Sequence, residues 1–290
     1  MQNEVKKATR TREQKIAFLC VKYFFLILFS VVFVFPIYAL LINSFMPDSQ
    51  TVKSLWPKVF YFGAYLKIFN AEYLGYLLNT LFVCLMNSGG VIIGSSLTAY
   101  ALAKLDFFGK NFVFACIMAI VLLPSTILSI PLMIIYRNLG WHETLLPLWV
   151  PMWFGGGTMN IFLVRQFMRG IPNSYSEAAQ LDGANSFQIY YMIIVPQVKP
   201  ILIYLAVTGF IGNWNDFQGP LMYVRDDPAN WTLSLALYMN FVEPSSSTQV
   251  ANLPNVQMAV GVMMMIPCIV LFAFFQKTIM EGISAIGIKG

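Results

Sequence analysis

Between two long apolar runs of the chain lies the stretch SYSEAAQLDGANSFQIYYMIIVP, residues 174–196. Its first half predicts a helix of two turns. Ser174 stands three residues before Glu177, the spacing of a capping box in which each side chain bonds the free backbone N–H of the other residue. Gly183 then ends the helix, because glycine adopts the left-handed conformation at little steric cost. We therefore expect a short helix that begins at Ser174 and stops at a sharp corner.

The second half of this stretch predicts another short helix. Asn185 or Ser186 can cap it, and Gln188 stands at the box position relative to Asn185. The helix should run over Phe187 to Ile194. It should end there because Pro196 has no N–H and disfavours helical geometry at the residue before it. The whole stretch reads as an angular helix-turn-helix.

The sequence on either side of this element is that of a membrane protein. Hydrophobic residues make up 58% of the chain and charged residues 11%, whereas globular proteins average about 45–50% apolar residues. A helix needs about 20 apolar residues to cross the hydrocarbon core. Six segments meet that length and predict an all-α membrane protein: Ala17 to Ser44, Leu77 to Ala103, Phe112 to Tyr136, Leu145 to Val164, Ile201 to Leu221 and Met258 to Gln276.

The basic residues predict how these spans are oriented. Thirteen Lys and Arg residues fall in one set of alternate loops and tails, and five fall in the other. By the positive-inside rule both termini are cytoplasmic, as is the loop 165–199. The first apolar run is too long for a cleaved signal peptide, so we expect it to remain as an anchor. The predicted organisation is a tail (1–16), the first span with an outer loop (17–76), a transmembrane domain (77–276) and a second tail (277–290).

The residue inventory argues against enzyme chemistry. His142 is the single histidine, and the four cysteines all lie in apolar runs, so neither a metal site nor a His-based triad has its ligands or partners. No phosphate-binding loop of the type Gly-x-x-x-x-Gly-Lys-Ser/Thr occurs. The net charge of +5 is spread over loop ends and forms no nucleic-acid surface. We expect no catalytic residues, no metal and no bound cofactor.

The run Glu177-Ala178-Ala179, followed at fixed spacing by Gly183, Ile193 and Pro196, resembles the EAA motif of type I ABC importer permeases. Val195 is the one departure, because the family has Leu there. The resemblance implies that this loop is a coupling element, which docks on a separate ATP-hydrolysing subunit. The expected docking and framework residues are Ser174, Glu177, Ala178, Ala179, Asp182, Gly183, Ala184, Ile193 and Pro196. The alternative is an amphipathic elbow that only lies on the membrane surface.

The same resemblance implies a set of partners in a bacterial cell membrane. They are a second permease subunit, two ATP-binding subunits that use ATP and Mg, and an extracytoplasmic solute-binding protein. The sequence leaves open whether the second permease is an identical or a different chain. An ion-coupled secondary transporter is the main rival, but it needs coupling carboxylates at membrane depth, and the predicted spans have almost none away from their ends.

Four further stretches resemble the carbohydrate-importing subgroup and look similar to the second permease of the maltose type. They are Thr98 to Ala103, Asn213 to Phe217, Trp231 to Leu233, and the tail Gly282 to Gly290. The resemblance implies import of a sugar or an oligosaccharide. A permease for a non-carbohydrate solute remains the alternative.

A group of polar and aromatic residues near the end of the fifth predicted span is the candidate substrate or gate site. It comprises Asn213, Trp214, Asn215 and Asp216. Aromatic faces flanked by amides suit sugar rings, but the same residues suit a gate packing element or an interfacial aromatic belt. Trp141, His142 and Glu143, in a short loop, are expected to anchor the chain at headgroup level.

Overall fold

The computed structural model describes residues 12–51, 53–69, 72–242 and 253–287, and this part of the chain is helical without strands. Most of the predicted first tail, Ser247 in the last long loop and the final residues 288–290 lie outside it. The helices are α1 (Arg12–Ser44), α2 (Gly63–Ile68), α3 (Tyr73–Lys104), α4 (Lys110–Val121), α5 (Ser125–Asn138), α6 (Leu146–Trp153) and α7 (Thr158–Arg169). There follow α8 (Ser174–Leu181), α9 (Ser186–Gln197), α10 (Lys199–Trp214), α11 (Gln218–Tyr223), α12 (Leu233–Phe241) and α13 (Pro254–Gly287).

Three helices of the described chain are long and apolar enough to cross a membrane, within α1, α3 and α13. They confirm the first, second and sixth predicted spans. Two bent pairs, α4 with α5 and α9 with α10, raise the number to five if each pair counts as one span. The all-helical membrane class is confirmed, and the number of six spans stays a prediction.

The third and fourth predicted spans are each interrupted, because the chain breaks in the middle of both. The third predicted span divides beside Pro124, where the helix axis bends by 109° between α4 and α5. Proline lacks the N–H that a continuing helix needs. The fourth divides at Gly155, Gly156 and Gly157, whose φ angles are +114°, +75° and +89°. A right-handed helix cannot pass through positive φ.

The break between α6 and α7 lets these helices lie directly against α3. A Cβ added at Gly94 of α3 would stand 2.6 Å from the carbonyl oxygen of Met152. A Cβ at Gly156 would stand 2.2 Å from the backbone nitrogen of Ser95. Only glycine permits two backbones to approach this closely. Helix α3 also packs along α10, so it is the central helix of the bundle.

Two hydrophobic clusters lie at opposite ends of α3. The cluster near Lys104 joins α3 to α7, α8, α9 and α10, and includes Tyr100, Ile189 and Ile201. The cluster near Tyr73 joins α3 to α2, α10, α12 and α13, and includes Tyr76 and Trp214. Helix α1 packs beside α13, but its apolar window is not buried within the chain.

Candidate functional site

Helix α8 begins as predicted at Ser174, but Ser174 does not cap it. Asn173 occupies the cap position with a helical φ of −68°, and no side chain there accepts a capping hydrogen bond. The backbone N–H of Glu177, which the predicted box would use, donates to the carbonyl oxygen of Asn173 at 3.0 Å. The Asn173 side-chain oxygen instead accepts from the Lys104 ammonium at 2.9 Å. The predicted capping box at Ser174 is therefore wrong.

The corner at Gly183 is confirmed. Its φ is +87°, and two backbone hydrogen bonds close the end of α8. Gly183 N–H donates to the Gln180 carbonyl at 3.0 Å, and Ala184 N–H donates to the Ala179 carbonyl at 2.9 Å. This pair of bonds is a Schellman motif, which satisfies carbonyls left over at a helix end. Asp182 is the C-cap residue and is exposed.

The capping box of α9 is also confirmed, with Asn185 as the cap. The Asn185 side chain accepts from Gln188 N–H at 2.9 Å, and the Gln188 side chain accepts from Asn185 N–H at 2.8 Å. The box fixes the direction in which the chain leaves the corner, because it locks both residues in one geometry.

The predicted end of this second helix is wrong. The helix passes through Val195, whose φ of −58° is helical, and continues to Gln197. Residues Ile189–Ile194 form a π-helical turn. That wider turn accommodates the Pro196 ring, so the break moves to Val198. Helix α10 departs from there at 76°.

One face of this helix-turn-helix, the 174–197 element, is buried against the bundle. Ala179 of α8 is 9% exposed, and Ile189 and Ile194 of α9 are 1% and 0% exposed. Their neighbours in the cluster include Tyr100 of α3 and Val164 of α7. The small Ala179 side chain allows α8 to lie close to α9. The element is thus part of the folded core.

Polar contacts tie the element to the Lys104 end of α3. The Tyr190 and Ser96 hydroxyls are 2.7 Å apart and share a hydrogen bond. Tyr100 Oη donates to the carbonyl oxygen of Ser186 at 3.0 Å. Lys104 Nζ donates to the carbonyl oxygen of Ile171 at 2.5 Å, as well as to Asn173. Successive turns of α3 from Ser96 onward therefore hold two parts of the element and the residues just before it.

The opposite face of the element is exposed. Glu177, Ala178, Gly183 and Pro196 lie on the surface, whereas Ala184 and Ile193 are half-buried. Large apolar side chains surround them, which the sequence reasoning missed: Tyr175, Leu181, Phe187, Tyr191 and Met192, with exposed fractions of 54%, 90%, 67%, 65% and 66%. Such apolar surface on a rigid element is typical of a protein docking site. The sequence pattern could have predicted this exposed apolar face, because these positions alternate with the buried ones at helical spacing.

The 213–217 cluster at the other end of α10 serves packing. Trp214 is 3% exposed, its Nε1 donates to the carbonyl oxygen of Met264 at 3.0 Å, and its ring stacks on Phe210. The amides of Asn213 and Asn215 donate back to carbonyl oxygens one turn earlier in α10, at 2.8 and 2.9 Å. Trp214 therefore offers no ring face to a sugar in this conformation.

Asp216 lies just beyond α10 and connects it to the helices that follow. Its carboxylate accepts from Gly219 N–H at 3.1 Å, and its carbonyl oxygen accepts from the Ser234 hydroxyl at 2.5 Å. The predicted helix through Leu221 is wrong, because α10 ends at Trp214 and α11 begins at Gln218. The chain leaves the helix after Trp214, and the Asp216 carbonyl there accepts from the Ser234 hydroxyl instead of from a helical N–H.

The loops beside this cluster are also joined to one another. Glu143, with a φ of +58°, donates its N–H to the Tyr223 carbonyl at 2.9 Å, and its carbonyl accepts from the Asn230 amide at 2.9 Å. His142 pairs with the Glu143 carboxylate at 3.2 Å. Burial raises the pKa of Tyr223, and the nearby Tyr136 and Asp216 add to that rise. The predicted headgroup anchoring by Trp141, His142 and Glu143 stays a prediction.

The stretch Trp231 to Leu233, which resembles the carbohydrate-importing subgroup, is hydrogen-bonded to α3. Leu233 N–H donates to the Thr80 hydroxyl at 2.7 Å, and the Asn79 amide donates to the Trp231 carbonyl at 3.0 Å. Helix α3 thus holds the 174–197 element at one end and the 229–233 segment at the other. Within the described residues, no group of three or more His, Cys, Asp or Glu side chains is placed to hold a metal ion.

A helical membrane chain with a rigid helix-turn-helix fixed to its central span has the architecture of the membrane subunit of a transporter. The chain belongs to the family of binding-protein-dependent transport system inner membrane components, whose family profile matches residues 90–284. It is a transport permease of the inner membrane, and the family is not one of enzymes.

Two relatives that match most of the chain are named as permeases of oligosaccharide transport systems. The arabinooligosaccharides transport system permease AraQ of Bacillus subtilis (strain 168) is 28% identical over 92% of this chain and 94% of its own length. The galactooligosaccharides transport system permease GanQ of the same organism is 29% identical over 92% of this chain and 94% of its own length. Both matches therefore cover more than nine tenths of this chain and of the relative.

A solved structure shares the fold. It is a bacterial ABC transporter involved in the import of the acidic polysaccharide alginate, with a TM-score of 0.82 and 24% identity. The match covers 93% of this chain and 99% of that chain. The type I ABC importer permease fold is thereby confirmed.

Proposed function

We propose that this chain is the permease subunit through which a bacterial ABC importer takes up a sugar or an oligosaccharide. The 174–197 element would couple it to ATP hydrolysis in partner subunits. The names of the AraQ and GanQ relatives support the substrate class. The solved transporter with the same fold is involved in the import of alginate, which is also a carbohydrate. A second solved structure of an alginate transporter includes a periplasmic protein bound to an alginate pentasaccharide.

The observation that carries the proposal is the two-sided nature of the 174–197 element. Ile189 and Ile194 anchor it in the core, while Glu177 and the apolar residues around it are left exposed. An element that only lay on a membrane would need no hydrogen bonds to a spanning helix. Fixation to α3 by Tyr190 and Lys104 suits an element that transmits a rigid-body movement.

The coupling route that we infer runs along α3. A displacement of the 174–197 element would pull on Ser96 and Tyr100 at one end of that helix. At the other end, Thr80 holds the backbone of Leu233. A helix of 32 residues is about 48 Å long at 1.5 Å per residue, which is longer than the hydrocarbon core. Movement at one membrane surface would therefore reach the other without bending of the chain.

The proposal includes partners and an orientation. Two ATP-binding subunits that use ATP and Mg would dock at the cytoplasmic face, on the exposed side of the 174–197 element. A second permease subunit would pair with this chain, and the wholly unburied apolar window of α1 suits contact with lipid and with that subunit. An extracytoplasmic solute-binding protein would deliver the substrate. Both termini would be cytoplasmic, as the distribution of Lys and Arg favours.

The proposal is tested by purifying the tagged chain with its partners from native membranes and reconstituting the complex. The ATPase rate is then measured with a panel of solutes and the solute-binding protein. We expect stimulation by a neutral or weakly charged oligosaccharide. Stimulation by amino acids or peptides, with none by any glycan, would contradict the substrate class. Absence of an ATPase subunit from the purified complex would contradict the coupling role.

A further inference from the structure

A basic cleft lies beside the Lys104 end of α3, where α3, the start of α4 and α7 meet. Its volume is about 700 Å³. Four basic side chains line it: Lys104, Lys110, Arg165 and Arg169. Asp106 is the one carboxylate among the lining residues, and its side chain is fully exposed to solvent. The cleft therefore carries a surplus of three positive charges and attracts an anion.

Arg165 is held in place at the cleft wall. The residue is 7% exposed, its Nε donates to the Leu102 carbonyl at 3.1 Å, and its guanidinium lies 3.8 Å from the centre of the Phe114 ring. Among the described residues its two terminal nitrogens have no hydrogen-bond partner and no carboxylate beside them. Burial lowers the pKa of Arg165, and the charge of Arg169 lowers it further. A bound anion would relieve both effects.

The other cations of the cleft have little acidic compensation. Arg169 is exposed and has no ion pair in the described chain. Lys110 Nζ donates to the Leu105 carbonyl at 2.6 Å and lies 3.3 Å from Asp106. The Lys110 side chain is 20% exposed, but the Asp106 carboxylate is fully exposed and solvent screens its charge, so Asp106 does not neutralise the cleft.

Exposed aromatic residues adjoin the basic side chains. Phe107 and Phe112 line the cleft and are 44% and 74% exposed, and Phe108 beside them is completely exposed. A soluble anion would have no use for apolar surface beside its charge site. An amphiphile would, because its acyl chains need apolar contacts next to its headgroup. Basic pockets between spanning helices at the cytoplasmic surface are suited to lipid headgroups.

We propose that this cleft binds the phosphate headgroup of an anionic phospholipid, with Phe108 and Phe112 against the acyl chains. The lipid would lie in the cytoplasmic leaflet, and only this choice of leaflet rests on the membrane orientation given under the proposed function. The lipid would also bear on coupling, because Lys104 lines the cleft and at the same time holds Ile171 and Asn173 at the start of the 174–197 element.

The test is lipid retention by the purified full chain, measured by native mass spectrometry from micelles containing equal phosphatidylglycerol and phosphatidylcholine. The altered protein carries Lys110→Gln and Arg169→Gln together, and Arg165 is left intact because its side chain packs inside the fold. Each charge near a membrane surface contributes about fivefold to anionic lipid binding, so we expect roughly 20- to 30-fold weaker retention of phosphatidylglycerol. The matched control is Lys199→Gln, an exposed lysine outside the cleft, which should retain the lipid like the wild type.

Two results would overturn the proposal. Equal phosphatidylglycerol retention by all three proteins would mean that the lipid binds without using the cleft. Displacement of the lipid by millimolar inorganic phosphate would assign the cleft to a soluble anion. The measurement needs neither sugar nor ATPase subunits, so its failure leaves the transport proposal standing. A failure of the transport proposal in the reconstituted complex would equally leave the lipid result unchanged.

Discussion

The hydroxyl of Tyr190, in α9, lies 2.7 Å from the hydroxyl of Ser96, in α3. This contact joins residues 94 positions apart and is buried. Around it the Tyr190 ring packs against Tyr100 and Phe187, with centroids 5.3 and 6.0 Å away. This hydrogen bond, set among aromatic rings, and the bond from Tyr100 to the Ser186 carbonyl together hold the 174–197 element to the central helix.

Replacing Tyr190 by Phe should separate this bond from the packing. The ring contacts remain, and we expect a loss of about 1 kcal/mol in the free energy of unfolding. ATP hydrolysis by the reconstituted complex should respond less to substrate, because the element is then less firmly fixed to α3. The matched control is Tyr191→Phe, since the Tyr191 side chain is 65% exposed. Equal substrate stimulation in Tyr190→Phe, Tyr191→Phe and the wild type would show that the bond has no part in coupling.

Gly183 should tolerate asparagine better than valine. Nothing lies within 4 Å of an added Cβ, so the φ of +87° is the main obstacle to a side chain. A β-branched residue there costs about 1–2 kcal/mol or more, whereas asparagine visits this region more readily. Gly183→Val should insert and pair normally but recover less ATPase subunit and uncouple hydrolysis from import. Gly183→Asn should lie between Gly183→Val and the wild type, and equal recovery with all three would assign the corner to an ordinary linker.

Trp214 should matter for stability and not for substrate affinity. Removing its buried side chain in Trp214→Ala should lower the free energy of unfolding by about 3–5 kcal/mol. Trp214→Phe keeps much of the packing but loses the bond to Met264. We expect its transport KM for the glycan to match the wild type, as measured by uptake into proteoliposomes. A large rise in KM with normal thermal stability would instead identify Trp214 as a sugar-contacting residue.

The local features of the 174–197 element were predictable, and those that depend on distant residues were not. The corner at Gly183 and the Asn185–Gln188 box follow from residues close together in sequence, and both are confirmed. At Ser174 the predicted box is replaced by a helical turn at Asn173, whose carbonyl accepts the Glu177 N–H and whose side chain accepts from Lys104, 69 positions earlier. Propensity in a short window contains no information about such a partner.

The same distinction explains the spans. Apolar length correctly located the helices near residues 17–44, 77–103 and 258–276. It could not divide the other spans, although Pro124 and the three glycines at 155–157 were visible as interruptions, because membrane helices often tolerate such residues. The break at residues 155–157 depends on the close approach of Gly94 and Gly156, and that approach results from the packing of α3 against the break. The orientation of Trp214 toward Met264 is likewise a result of tertiary packing.

Thr80→Val tests the other end of the coupling route. Thr80 Oγ1 accepts the backbone N–H of Leu233, and both residues are buried. The isosteric valine leaves that N–H without a partner, which should destabilise the chain by about 1–3 kcal/mol in a thermal or denaturant unfolding measurement. Thr208→Val is the control, because the Thr208 hydroxyl bonds only within its own helix. Equal stability of the two variants would mean that the Thr80–Leu233 hydrogen bond does not help α3 to hold the 229–233 segment.

The exposed face of the 174–197 element is the proposed docking surface for an ATPase subunit, and Glu177 lies on that face without a partner in the described chain. The most direct measurement is the amount of ATPase subunit that co-purifies from native membranes with a tagged Glu177→Arg chain, relative to the wild type. Gln166→Arg, an exposed change in α7 outside the element, controls for added positive charge. We predict at least a tenfold loss for Glu177→Arg, normal recovery for Gln166→Arg, and unchanged membrane insertion for both. Wild-type recovery with Glu177→Arg would show that this face of the element does not dock the ATPase subunit.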